Sequence, residues 1–175
     1  MESSARLRSA IRDIPDFPKP GILFRDITPL LADPGIFREA IGEFARICRG
    51  AGAERIAGID ARGFLFGATV AYELGLGFVP IRKKGKLPFQ TIGQSYDLEY
   101  GSAEVEIHTD AFQPGERVAL IDDLLATGGT AGAAIKLIQH AGAEVVTAAF
   151  LIELAGLGGR AVLGNVPVAT IISYA

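Results

Sequence analysis

Two adjacent carboxylates, Asp122 and Asp123, stand between an apolar run, Val118-Ala119-Leu120-Ile121, and the small polar stretch Ala126-Thr127-Gly128-Gly129-Thr130. The run has the character of a buried strand, and the alanine-rich segment after Thr130 that of a helix. A loop feeding a helix N-terminus presents unpaired backbone N–H groups and the positive end of the helix dipole, which suits a phosphate. Carboxylates beside it can accept hydrogen bonds from sugar hydroxyls. Residues 118–134 therefore predict a phosphorylated sugar as ligand. A second concentration of charge is the basic cluster Arg82-Lys83-Lys84-Gly85-Lys86. In a chain of net charge −3, a local basic loop fits a small polyanion better than a nucleic acid.

Other phosphate sites fail on the residues. A P-loop needs lysine after its glycines, and here Gly128-Gly129 is followed by Thr130 and Ala131. Gly156-Leu157-Gly158-Gly159-Arg160-Ala161 matches a dinucleotide fingerprint by pattern, but no acid follows it, so it is a chance match. With one cysteine, Cys48, and two histidines, His108 and His140, neither a disulfide nor a zinc site is expected. Cys48 sits in a helical pattern and reads as a small core residue. The first residues lack an apolar signal core, and no run is long enough to span a bilayer. A soluble, cytoplasmic protein without membrane partners is expected.

The elements that must position these groups follow a rhythm. Leu7, Ala10, Ile11 and Ile14 predict a helix within residues 1–14, and Pro15–Gly21 a loop. Ile22-Leu23-Phe24 is a brief extended piece. Asp33-Pro34 predicts a helix start, running to about Arg49. Strands are predicted at Arg55–Ile59, Phe78–Ile81, Val118–Ile121, Val145–Ile152 and Val168–Ile172, with helices at about Phe64–Leu74 and Thr130–His140. Continuous apolar strands alternating with helices imply an α/β fold, a parallel sheet covered on both faces. Ligands then sit at the strands' C-terminal ends, where Asp60, the basic loop, Asp122-Asp123 and Glu153 fall. Three of these four clusters are expected to face one crevice. Ser95–Tyr100 and Ala103–His108 read as a hairpin around Gly101-Ser102, with Val105 and Ile107 alternating. Such an excursion predicts a mobile flap. The length suits one domain, residues 1–175.

The strand, the two aspartates and A-T-G-G-T resemble the phosphoribosyl-pyrophosphate (PRPP) signature of the type I phosphoribosyltransferases. The likeness to the adenine phosphoribosyltransferases of that family covers nearly the whole chain. IPDFPKPGILFRDITPLL (residues 14–31) resembles their purine-binding segment, GIDARGFLFG (58–67) their pyrophosphate loop and IRKKGKLP (81–88) their basic loop. YDLEYG (96–101) resembles their catalytic flap, and FLIEL…LGGR (150–160) their tail. The resemblance implies the type I phosphoribosyltransferase fold. That fold has a central, mostly parallel sheet flanked by helices, a flexible flap within residues 85–110 and an N-terminal base-binding hood, residues 1–33.

It also implies roles. Ala126, Thr127, Gly128, Gly129 and Thr130 would wrap the 5′-phosphate, and Asp122 and Asp123 would hold the ribose hydroxyls. Arg62, within the Asp60-Ala61-Arg62-Gly63 turn that in this family commonly carries a non-proline cis peptide, would face the pyrophosphate, aided by Arg82, Lys83 and Lys86. Phe24 would stack on the purine, with Leu23 and Arg25 beside it. Glu99 would act on a purine proton. The 6-oxopurine enzymes carry an aspartate where this chain has Ala126, so the acid must come from elsewhere, and the flap is the natural source. The resemblance further implies PRPP and adenine as substrates, AMP and pyrophosphate as products, Mg²⁺ bound through PRPP, and a homodimer. Phe89 replaces a common glycine after Lys-Leu-Pro, and Ala61 a common serine. Competing readings are the same chemistry on another purine, a PRPP-sensing regulator and a plain nucleotide-binding module.

Overall fold

The computed structural model describes residues 2–97 and 102–175. Backbone contacts divide the chain into two compact units, residues 1–43 and 44–175.

The first unit opens with helix α1 (Glu2–Ser9), which stops short of the predicted end. Arg12–Pro15 forms strand β1 instead, paired antiparallel with β2 (Leu23–Asp26). The helical spacing of Ile11 and Ile14 thus loses to a partner that lies eight to fourteen residues downstream, information that a periodicity window does not contain. The loop between the strands contains a cis Phe17-Pro18 bond and ends at Gly21, whose N–H donates to Asp16 Oδ1 at 2.7 Å. A short helix, α2 (Thr28–Ala32), went unforeseen. Asp26 introduces it by accepting the backbone N–H and the hydroxyl of Thr28, each at 2.9 Å. The start of α3 (Pro34–Gly50) is as expected: Asp33 Oδ1 accepts the N–H groups of Gly35 and Ile36 at 2.8 and 3.0 Å.

The second unit is built on a seven-stranded sheet of order β5-β6-β4-β3-β7-β8-β9. Its parallel part comprises β4 (Gly77–Lys83), β3 (Arg55–Ile59), β7 (Arg117–Leu125), β8 (Glu144–Leu154) and β9 (Val168–Tyr174). β5 (Thr91–Asp97) and β6 (Ser102–His108) add the antiparallel hairpin at one edge. β8 is buried over nine consecutive residues, Val145–Glu153, as a strand covered on both faces must be. The covering helices include α4 (Arg62–Leu74) and α5 (Gly129–His140). Phe44 on α3 packs against Phe66 on α4 with ring centroids 5.4 Å apart. Cys48 is fully buried, and burial pushes its thiol up to about 12, so it behaves as a core residue.

Three strands run further than their apolar cores. β7 continues through Asp122 and Asp123 to Leu125, β4 takes in Arg82 and Lys83, and β8 takes in Glu153. Ladder hydrogen bonds extend each strand where side-chain polarity alone predicted its end. Among the described residues no helix is long and apolar enough to cross a membrane.

Candidate active site

The site grows from the ends of β3, β4 and β7. Gly58 is registered against both Ile121 and Pro80, and Ile59 against Ile81. Asp60 therefore emerges between Asp122 on one neighbouring strand and Arg82 on the other.

After Leu125 the chain turns through Gly128, whose φ of +85° lies in the left-handed region, and enters α5 without a side-chain cap. The Gly132 N–H bonds the Gly128 carbonyl at 2.8 Å, so helical geometry leaves the preceding N–H groups of the first turn unpaired with helix backbone. These amides, with Ala126, Thr127, Gly128, Gly129 and Thr130, border a cavity of about 230 Å³ that Arg62, Asp122 and Asp123 also line. The loop rests on the segment after β8. A Cβ on Gly128 would lie 2.5 Å from the Gly159 carbonyl oxygen, and one on Gly159 would lie 2.3 Å from that of Ala126. Backbone meets backbone there, which only glycine permits.

A second cavity, about 310 Å³, is lined by Asp60, Ala61, Arg62, Lys83, Tyr96, Asp122, Asp123 and Thr130, among others. It shares Arg62, Asp122, Asp123 and Thr130 with the first. The Asp60-Ala61 peptide is cis, as the resemblance implied, and Arg62 is the first residue of α4 rather than part of a longer turn. The N-termini of α4 and α5 thus border adjoining cavities, a placement that favours anions in both.

Arg62 Nε donates to Asp123 Oδ2 at 2.9 Å, and the Asp123 N–H donates to Asp122 Oδ1 at 2.9 Å. Burial holds Asp122 well above the ordinary carboxylate range, and the charge of Asp123 pushes the same way. Burial raises Asp123 too, against the pull of Arg62. The two aspartates titrate as one unit.

The basic loop is unequally used. Arg82 Nε donates to Asp60 Oδ2 at 3.0 Å and its Nη1 to the Lys86 carbonyl at 3.1 Å, while its guanidinium lies 6.0 Å from the Phe64 ring centre. Lys84 pairs with Glu104 at 2.7 Å. Lys83 reaches the second cavity; Lys86 is exposed and lines neither cavity. Glu153, the fourth polar cluster at a strand end, lines neither cavity. It is held by Arg160, Nε to Oε1 at 2.7 Å and Nη2 to Oε2 at 2.8 Å, and accepts the Thr170 hydroxyl at 3.0 Å.

The model of the phosphoribosyl transferase domain matches residues 28–161. An adenine phosphoribosyltransferase of Parvibaculum lavamentivorans is 63% identical over 155 residues, 89% of each chain. The chain belongs to the adenine phosphoribosyltransferase family. Solved structures from that family superpose closely. The Saccharomyces cerevisiae enzyme, complexed with an imino-altritol bisphosphate and adenine, has a TM-score of 0.94 at 41% identity and covers 97% of this chain and 98% of its own. The Trypanosoma brucei enzyme, in complex with AMP, pyrophosphate and ribose-5-phosphate, has a TM-score of 0.91 at 27% identity, covering 99% and 80%.

As an adenine phosphoribosyltransferase, the chain has further residues to place. Leu23, Phe24 and Arg25 lie on β2 in the first unit. Leu23 is exposed; Phe24 is half-buried rather than core, edge-on to Phe17 at 5.1 Å; Arg25 pairs with Asp13. Glu99 lies outside the described residues. Asp60, one of the strand-end clusters expected at the crevice, and Tyr96, which carried no assignment from sequence, both line the second cavity. Glu106 was missed altogether. The alternation of Val105 and Ile107 points it outward, yet all three residues are buried. An acid between two apolar strand residues was the only available signal.

Proposed function

We propose that the protein transfers the 5-phosphoribosyl group of PRPP to N9 of adenine, forming AMP and releasing pyrophosphate. The observation that carries this reading is the pair of cavities at two helix N-termini, joined by Arg62, Asp122, Asp123 and Thr130. PRPP has the matching form: a 5′-phosphate at one end, a pyrophosphate at the other and a hydroxylated ribose between. The Ala126–Thr130 amides and the Thr127 and Thr130 hydroxyls take the 5′-phosphate, and the aspartate pair takes the ribose hydroxyls. The complexes of the yeast and trypanosome relatives with adenine, AMP and pyrophosphate support this choice of substrates.

The C1′–O bond to pyrophosphate breaks as the C1′–N9 bond forms, so positive charge builds on the ribose and negative charge on the leaving group. Arg62 and Lys83 stabilise the leaving group electrostatically, with Arg82 and Lys86 adding to the local field. The N9 proton passes to Glu99. Leu23, Phe24 and Arg25 are read as the base-binding residues, and the two compact units as parts of one phosphoribosyltransferase domain.

Among the described residues no group of three or more His, Cys, Asp or Glu side chains could cage a metal. The family resemblance supports Mg²⁺ held mainly through the phosphates of PRPP, where it would neutralise charge on the departing pyrophosphate. A single buried free cysteine accords with a reducing, cytoplasmic setting. The family resemblance supports a homodimer, which sedimentation at graded concentrations tests.

The deciding experiment incubates the protein with PRPP, Mg²⁺ and each of adenine, hypoxanthine, guanine and xanthine. Adenine is expected to be consumed; preferential loss of another base would overturn the assignment. Glu99→Gln should bind PRPP normally and lose on the order of 10²–10⁴ in turnover.

A further inference from the structure

The turn that carries the basic loop is fastened by a residue outside it. Glu106, on β6, is only 5% exposed. Its Oε1 accepts three consecutive backbone N–H groups, from Gly85, Lys86 and Leu87, at 3.0, 3.2 and 3.1 Å. Its Oε2 accepts the hydroxyl of Thr91, the first residue of β5, at 3.2 Å. Successive amides converging on one anion form a nest, a motif that commonly receives an external anion. Here an internal carboxylate fills it. Gly85, at φ +79°, supplies the left-handed step that turns the amides inward.

The loop's cations then divide. Arg82, registered opposite Glu106, turns to Asp60 and closes the loop from the other side through the Lys86 carbonyl. Lys84 is tied to Glu104, two residues along the same face of β6. Among the described residues Lys83 and Lys86 have no carboxylate within ion-pair distance. The acids of β6 thus hold the loop through its backbone and Lys84, leaving Lys83 to line the larger cavity.

We propose that Glu106 is a positioning residue for pyrophosphate recognition: by gathering the amides of residues 85–87 it fixes where Lys83 and Lys86 present their charge, and through Thr91 it couples that loop to the first strand of the flap. This rests on reading the larger cavity as the pyrophosphate side. Glu106 itself touches no substrate. Its effect is confined to ligands that carry the pyrophosphate group, because adenine has nothing for these lysines to hold.

Steady-state kinetics in both directions test it, with adenine and PRPP forward and AMP and pyrophosphate in reverse. Glu106→Ala should raise KM for PRPP and for pyrophosphate, on the order of tenfold or more, with KM for adenine unchanged. Glu106→Gln should restore both, because its amide oxygen can accept the three N–H groups while its NH₂ donates to the Thr91 hydroxyl. Lys83→Ala and Lys86→Ala calibrate the underlying reading. If neither lysine variant moves KM for PRPP or pyrophosphate, the pyrophosphate reading and the role of Glu106 both fall. If Lys83→Ala raises them and Glu106→Ala does not, the positioning role alone is overturned. Equal rises in KM for adenine and PRPP, or no rescue by glutamine, also overturn it. Thr91→Val carries the test should Glu106→Ala not fold. A rise in the PRPP and pyrophosphate KM values supports the coupling, and unchanged values overturn it.

Discussion

Asp122-Asp123 on β7 and Glu153 on β8 occupy neighbouring parallel strands, with Leu125 registered against Glu153. Both are acidic sites near strand C-termini, and Asp123 and Glu153 are 4% and 6% exposed. Their surroundings differ. Glu153 receives two bonds from one guanidinium and a third from Thr170, and Arg160 first of all holds its carboxyl below the usual range. Asp123 receives Arg62, but burial outweighs that pull, and Asp122 is raised further by its neighbour's charge. A carboxylate satisfied by its own fold serves the fold. A carboxylate pair that the fold under-compensates is poised for partners supplied by a ligand.

The comparison can be broken at several points. Asp123→Asn should cost most, lowering kcat/KM for PRPP on the order of 10²–10³, the range seen when a charge-stabilising contact is lost. Its thermal midpoint should stay at or above that of the wild type. Unchanged PRPP affinity by calorimetry would remove the ribose role.

Arg160→Ala should do the reverse. It strands a buried carboxylate and should lower folding stability by about 2 kcal/mol in urea titrations. PRPP affinity should fall less than in Asp123→Asn.

The pH dependence separates the two sites by sign. Glu153 is depressed in the folded state, so the stability it contributes is present above the ordinary carboxylate range and lost as pH falls through its lowered value. Asp122 is raised, so its ionisation costs stability as pH rises through its folded value. Asp122→Asn should therefore be more stable than the wild type near neutrality and Glu153→Gln less stable, with both differences shrinking in acid. Denaturant midpoints that shift with the same sign in the two variants would contradict this. Smallest is Thr170→Val, which removes one of the three bonds to Glu153 and should cost about 1 kcal/mol in the same titration.

The two sites were unequally legible for a physical reason. The Ala126–Thr130 loop is local: strand, acids, turn glycine and helix start are contiguous from Val118 to Ala134, so their order alone predicts a phosphate site. The parallel sheet was legible because strands such as Val145–Ile152 are apolar on both faces. What the residues could not disclose depends on register. Arg62 meets Asp123 because β3 and β7 align Gly58 with Ile121. Glu153 leaves the crevice because Arg160 and Thr170, from two later segments, claim it. Glu106 turns inward because three amides some twenty residues earlier need an acceptor. Arg12–Pro15 became a strand for the same kind of reason.

The glycine-to-glycine bearing between Gly128 and Gly159 reaches into how this protein tolerates change. Gly159 borders neither cavity, yet any side chain there must displace the Ala126 carbonyl. A substitution that meets no substrate would thus be felt as poorer grip on PRPP. The glycines after β8, which by spelling alone imitate a dinucleotide fingerprint, include one whose smallness lets another loop lie flat. A screen that counts glycines as nucleotide contacts would score this segment for the wrong ligand, and an engineer seeking to loosen PRPP binding by degrees could work from there without touching the catalytic groups.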